Sequence, residues 1–275
     1  MSNAKRHLPE FERPPVSEVA ISMAFSPIEG WGIPHFGLFW QSIRAEYPRF
    51  EVHGPVRIED EKYGPLSSQA IPSMPTIVVA EPTVRCWFMN DKGSSLVQIQ
   101  RDRFSRNWRK MADDEVYPRY KSLRPSFASD WTRYKQFLNE NQLKEPRVSQ
   151  CEITYINDIV RGEDWRDFSE FKNIIAPWSG AATDGFLPTP ESALFGLAYV
   201  LPESKGRLRA VMQHAIRARD GEEILQLNLS VRGKPASDTT DDLLAWLDLG
   251  HEWIVRGFAD LTAGPSQEAW GRIRT

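Results

Sequence analysis

Two runs of period-two alternation late in the chain constrain its fold more than any other feature. Leu208, Ala210, Met212, His214, Ile216 and Ala218 recur at every second position, and so do Leu225, Leu227, Leu229 and Val231. A period of two sends one set of side chains to one side of a strand and the other set to the opposite side. Asp220-Gly221 stands between the runs and favours a two-residue type I′ turn. The pair reads as a long antiparallel hairpin with one face on a core. Such a face needs a covering layer, which points to helices packed on one side of a sheet.

The rest of the chain fits that plan. Val19, Ile21, Met23 and Phe25 mark a strand, and Phe36, Trp40, Ile43 and Tyr47 a helix stopped by Pro48. A strand is expected near 50–59, a long loop over 60–83, and a hairpin from Arg85–Met89 and Ser95–Arg103. Leu123, Phe127, Trp131, Tyr134 and Leu138 continue as a helix. Cys151, Ile153 and Tyr155 begin a second series. It runs through a short helix near 165–175, a loop over 178–190, an apolar strand at 194–201, the hairpin, and a last helix capped by Asp238. The expected class is α+β, with two related halves, each strand, helix, antiparallel meander, helix. Together they form one curved antiparallel sheet with helices packed on one face, similar to tandem TATA-binding-protein-like or helix-grip folds. The expected divisions are a flexible segment 1–14, a first half 15–145 and a second half 146–275.

A net charge of −3 and a pI near 6.0 argue against general affinity for nucleic acid or anionic membranes. Cys86 and Cys151 are the two cysteines, with no CxxC spacing. They read as reduced thiols in a cytoplasmic protein. No apolar run reaches transmembrane length, and residues 1–15 lack the apolar core of a signal peptide. There is no GxxxxGK[ST], GxGxxG or GxSxG motif, and the five histidines form no metal-binding pattern. No cofactor and no metal is expected.

The stretch 98–120 concentrates the candidate binding residues: Gln98, Gln100, Arg101, Arg103, Asn107, Trp108, Arg109, Tyr117, Arg119 and Tyr120. It begins as a strand and continues as a polar, aromatic segment without a simple period. Arginine with aromatics can stack bases and hold phosphates, and the same types dominate protein–protein hot spots. The alternative is a cover over a sheet edge, pinned by pairs such as Arg101–Asp113. His251 follows Asp248 by three residues, a spacing that suits a general base. Its place on an apolar helical stripe reads better as a buried, neutral core histidine.

From about Pro14 to Trp270 the chain resembles a sporadically distributed, uncharacterised bacterial protein family. The matching pieces are Pro15 to Val19, Phe39-Trp40 to Tyr47-Pro48, the block Gln98 to Phe104, and Asn107-Trp108-Arg109. Tyr117-Pro118-Arg119-Tyr120, Tyr155-Ile156-Asn157 and Asp248 to His251 complete them. The resemblance implies no reaction and no catalytic residue. Its patchy distribution points to mobile or phage-defence loci. The function expected from the whole sequence is a non-catalytic binding protein, with another protein or a second copy of itself as partner. The alternative is a nucleic-acid-acting factor or enzyme using the 98–120 block.

Overall fold

Alternation builds most of this molecule, a computed structural model described for residues 7–56, 61, 63, 84–178, 186–188 and 190–273. The chain is α+β. A short strand β1 (Glu10–Phe11) precedes β2 (Val16–Phe25), helix α1 (Ile33–Ile43), and strands β3 (Arg49–His53), β4 (Arg85–Met89), β5 (Ser95–Gln100) and β6 (Arg103–Arg109). Helix α2 (Arg119–Glu140) leads to β7 (Val148–Val160), and then to β8 (Leu194–Val200), β9 (Arg207–Ile216) and β10 (Glu223–Gly233). Helices α3 (Thr240–Leu261) and α4 (Gly264–Ala269) and strand β11 (Arg272–Ile273) close the chain.

The nine-stranded sheet has the order β3-β4-β5-β6-β2-β7-β10-β9-β8, with every neighbouring pair antiparallel. β2 and β7 lie at its middle, and a meander runs inward to each from the sheet's edge. The first meander has four strands and follows α1. The second has three and follows a 3-10 turn at Phe168–Asn173, where a short helix was expected near 165–175.

One face of the sheet carries Val19, Ile21 and Met23 beside Ile153, Cys151 and Tyr155, with Phe104, Leu227 and Leu229 on the flanking strands. Helices α2 and α3 cover this face, and their contact unites the two halves in one hydrophobic core. Gly250 is where α3 comes closest. A methyl group there would stand 2.7 Å from Ile153 Cγ2, so any larger residue would push the helix off the sheet. The N-cap of α3 is Thr239, whose hydroxyl accepts from Asp242 N–H at 3.3 Å, and not the expected Asp238.

Three other expectations are corrected. The stretch 103–109 is a strand in full, β6. Its period was obscured because Arg106 takes a position on the apolar face, where Asp130 neutralises it at 2.8 Å. The hairpin β9–β10 forms, but its turn is longer than two residues. Arg217 N–H donates to Glu222 O and Gly221 N–H to Arg217 O, both at 2.8 Å. Gly221 takes φ +80° there, while the Asp220 carboxylate gathers Arg217 and Arg219 and so organises the wider loop. Finally, within the expected flexible segment 1–14, β1 pairs with β11 and Phe11 is buried edge-on against Phe258 at 5.2 Å. Residues 1–6 and most of the expected 60–83 loop lie outside the described residues.

Candidate functional sites on the two sheet faces

The sheet divides the residues of the 98–120 block. Register puts Gln98, Gln100, Arg103, Asn107 and Arg109 on the face away from the helices, and Trp108 on the covered face. Arg101 lies in the β5–β6 turn. Tyr117, Arg119 and Tyr120 lie at the start of α2, on the helical side.

On the uncovered face the side chains form a polar lattice. Gln98 donates to Asn107 at 2.8 Å, and Asn107 donates in turn to Glu18. Burial pushes the Glu18 carboxyl up, against the Asn107 hydrogen bond and the Arg109 charge. Arg103 and Arg232 share Glu152 at 3.1 and 2.9 Å. Arg85 and Arg109 lie over Trp87, at 5.2 and 5.1 Å from the ring centre. Burial, with the neighbouring Arg103 charge, holds Arg85 below the ordinary guanidinium value. The buried Nε atoms of Arg85, Arg103, Arg109 and Arg232 and the Trp87 indole nitrogen have no hydrogen-bond partner among the described residues. These nitrogens are closed off from solvent as well as from protein acceptors, so they mark a tightly packed cluster of arginines whose other nitrogens make the contacts.

Part of the chain itself already sits on this face. The Gln100 amide pairs with both sides of the Val56 backbone, accepting from its N–H at 2.8 Å and donating to its carbonyl at 2.9 Å. Gln150 accepts from the Glu61 N–H at 3.0 Å. The Glu61 carboxylate is held between Arg207 and Arg209, with its side chain almost fully buried. Arg207 also lies 5.4 Å from the Tyr63 ring centre. Sequence reasoning missed Arg85, Arg207, Arg209 and Arg232, because each reads alone as an ordinary outward residue of an alternating strand.

The covered face holds a different constellation. Tyr117 Oη lies 2.9 Å from Tyr155 Oη, and Tyr155 Oη lies 3.0 Å from His251 Nδ1. Tyr120 stacks on the His251 ring at 4.0 Å and donates to Asp248 at 2.9 Å, while Arg124 grips both Asp248 oxygens. Burial drives the His251 pKa down to about 4, outweighing Asp248 and Glu252, so the ring is neutral at neutral pH. Burial also pushes Tyr117 up to about 12 and Tyr155 well above the ordinary phenol value. His251 is hydrogen-bonded within the fold as the sequence suggested, yet it is half-buried where full burial was expected. Arg119 holds the N-terminal segment, donating to the Phe11 and Glu12 carbonyls at 2.8 and 3.0 Å. It does so from a strained backbone, φ +65°. Three separate stretches of the chain, Tyr117–Tyr120, Tyr155–Asn157 and Asp248–His251, therefore meet at one place.

Asp113, expected near Arg101, pairs with Arg219 at 2.7 Å. Both cysteines are free buried thiols, and burial raises Cys86 to about 11, so neither is a ready nucleophile. Among the described residues no cluster of three or more His, Cys, Asp or Glu is arranged to hold a metal ion. None of their helices is long and apolar enough to cross a membrane. No protein-family model and no curated protein matches the chain.

Proposed function

We propose that this chain is a non-catalytic binding protein that takes an extended, acidic segment of a protein partner on its arginine-lined sheet face. One observation carries the reading: Glu61 sits between Arg207 and Arg209 on a face that also carries Arg85, Arg103, Arg109 and Arg232. A carboxylate between two guanidinium groups is the contact an acidic side chain from a partner would make. The Gln100 amide adds backbone recognition, since it satisfies both polar groups of Val56 as a neighbouring strand would. Glu18 and Glu152 interrupt the positive charge of the face, which favours a short acidic segment over the long charged backbone of a nucleic acid.

The test is fluorescence anisotropy with a labelled hexaglutamate peptide on the full chain at low salt. Glu61→Gln frees Arg207 and Arg209 from their internal partner and is expected to bind the peptide about tenfold more tightly than the native chain. Adding Arg207→Ala to that variant is expected to abolish the gain. No gain in Glu61→Gln, with the fold intact, overturns the reading. A single-stranded oligonucleotide that binds more tightly than the peptide, with a steep salt dependence, replaces the partner class with nucleic acid.

A further inference from the structure

Beside the tyrosine–histidine constellation lies a cavity of about 550 Å³, between β1, the start of α2 and α3. Its walls are largely apolar, with Phe11, Val16, Leu229, Ile254 and Phe258 among them. Tyr155, Asn157 and His251 line it from β7 and α3, and the charged residues of the lining are Glu10, Arg119 and Lys121. That size and that combination of apolar walls with a few fixed polar groups are typical of small-molecule sites.

We propose that this cavity binds an uncharged small molecule with a mainly apolar body and one hydrogen-bond-accepting head, the head seated at His251. The proposal is independent of the sheet-face reading, because the cavity lies on the opposite side of the sheet. Three observations carry it. First, the hydrogen-bond chain orients the imidazole. We assign the direction in which Tyr117 donates to Tyr155 and Tyr155 to His251 Nδ1, which puts the ring proton on Nε2. Nε2 has no protein partner among the described residues, so a donor is left over on a residue that lines the cavity.

Second, the charged residues of the lining, Glu10, Arg119 and Lys121, are all exposed. Arg119 is already engaged with two backbone carbonyls. Asn157, also in the lining, spends its amide N–H on the Leu227 carbonyl. An ionised head at His251 would lose its water without gaining a counter-charge, whereas an alcohol or carbonyl oxygen needs only the Nε2 proton. Third, the surroundings hold the donor in place. Tyr120 lies flat on the imidazole with 13° between the planes, and Arg124 with Asp248 fixes Tyr120. A donor held this firmly loses little freedom when it binds.

The probe is N-phenyl-1-naphthylamine, whose fluorescence rises on entering an apolar site, titrated into the full chain at neutral pH. Saturable binding of one probe per chain is expected. Octan-1-ol is expected to displace it at about tenfold lower concentration than octanoate does, because the carboxylate gives up more hydration on entry. Val255→Trp, at a partly exposed position of the lining, is expected to fill the cavity and abolish probe binding while the melting temperature is kept. His251→Phe is expected to keep the probe and to need about tenfold more octan-1-ol to displace it, as loss of one hydrogen bond does. Four results overturn the proposal: unsaturable binding by the native chain, binding unchanged in folded Val255→Trp, octanoate displacing as well as octan-1-ol, or octan-1-ol displacing the probe equally well from His251→Phe and the native chain.

Discussion

Trp108 and Arg109 are neighbours in the chain and belong to opposite faces of the sheet. Trp108 is buried against Tyr117, with 5.6 Å between ring centres, on the side that α2 and α3 cover. Arg109 lies over Trp87, donates to the Gly93 carbonyl at 3.1 Å, and keeps a buried Nε without a partner. The same contrast holds across the sheet. On the covered side the buried donors without partners among the described residues include the indole nitrogens of Trp31 and Trp131 and the Tyr134 hydroxyl, neutral groups inside a cluster of aromatic rings. The buried charge on that side is matched, because Arg106 and Asp130 pair at 2.8 Å and Tyr47 donates to the same carboxylate at 2.9 Å. On the other side the unmatched groups are mostly guanidinium nitrogens. One face of the sheet supplies burial, and the other supplies charge. Stability should therefore reside mainly on the first and affinity on the second.

The largest expected effect tests the covered face. Trp108→Ala should lower unfolding free energy by about 3–5 kcal/mol, since a buried indole leaves a cavity that its neighbours fill only in part. Guanidinium denaturation of the variant beside the native chain measures it. A loss below about 1 kcal/mol would mean that the covered face is not where this half of the molecule draws its stability.

A smaller effect depends on pH and concerns His251. Its pKa is about 4 in the folded chain, against 6.5 for the free side chain. The unfolded chain therefore binds the proton more readily, and stability falls as pH drops from about 6.5 towards 4. The part due to this ring is at most about 3.5 kcal/mol, at roughly 1.4 kcal/mol per pKa unit. Burial of Glu18 acts in the opposite sense, because a carboxyl raised in the folded state favours low pH. The difference between the native chain and His251→Phe isolates the histidine. Parallel stability curves for the two proteins between pH 4 and 7 would show that the ring is not held neutral by the fold.

How much of this was legible in the sequence follows from what alternation can encode. Period two located β2, β7, β9 and β10, and period 3.6 located α2 and α3, because these elements each bury a continuous apolar stripe. It failed at β6, where Arg106 interrupts the stripe and only Asp130, 24 residues away, explains how a charge can stay there. The candidate site was legible as a stretch of sequence but not as a surface. Consecutive residues of a strand point in opposite directions, so one block supplied residues to two unrelated sites. Tyr155 and His251 are 96 residues apart, and Arg207 lies 146 residues from Glu61. No local period records such meetings. They come from the order of the strands, which sequence patterning left open.

The smallest expected effect completes the comparison at Arg109. Its side chain is partly buried, and its contacts are one backbone carbonyl, the Met89 sulfur at 3.6 Å and the Trp87 ring. None of these leaves a buried charge alone when the guanidinium is removed. Gly93 is itself buried, next to the exposed turn residues Asp91 and Lys92, so its carbonyl loses a donor, whereas the Trp87 ring keeps Arg85 on it. Glu18 loses a favourable charge, but it retains the Asn107 hydrogen bond and is already raised by burial. Arg109→Ala should therefore cost about 1–2 kcal/mol, the range for one buried acceptor left without its donor and less than Trp108→Ala. In the Glu61→Gln background it should weaken the bound hexaglutamate peptide by about 2 kcal/mol, as loss of an interface anchor does. Melting and anisotropy on the same preparation read both numbers. If Arg109→Ala destabilises the chain as much as Trp108→Ala does, the two faces are structural to the same degree. The arginine donors would then be part of the architecture, and the division between a face for stability and a face for binding would be lost.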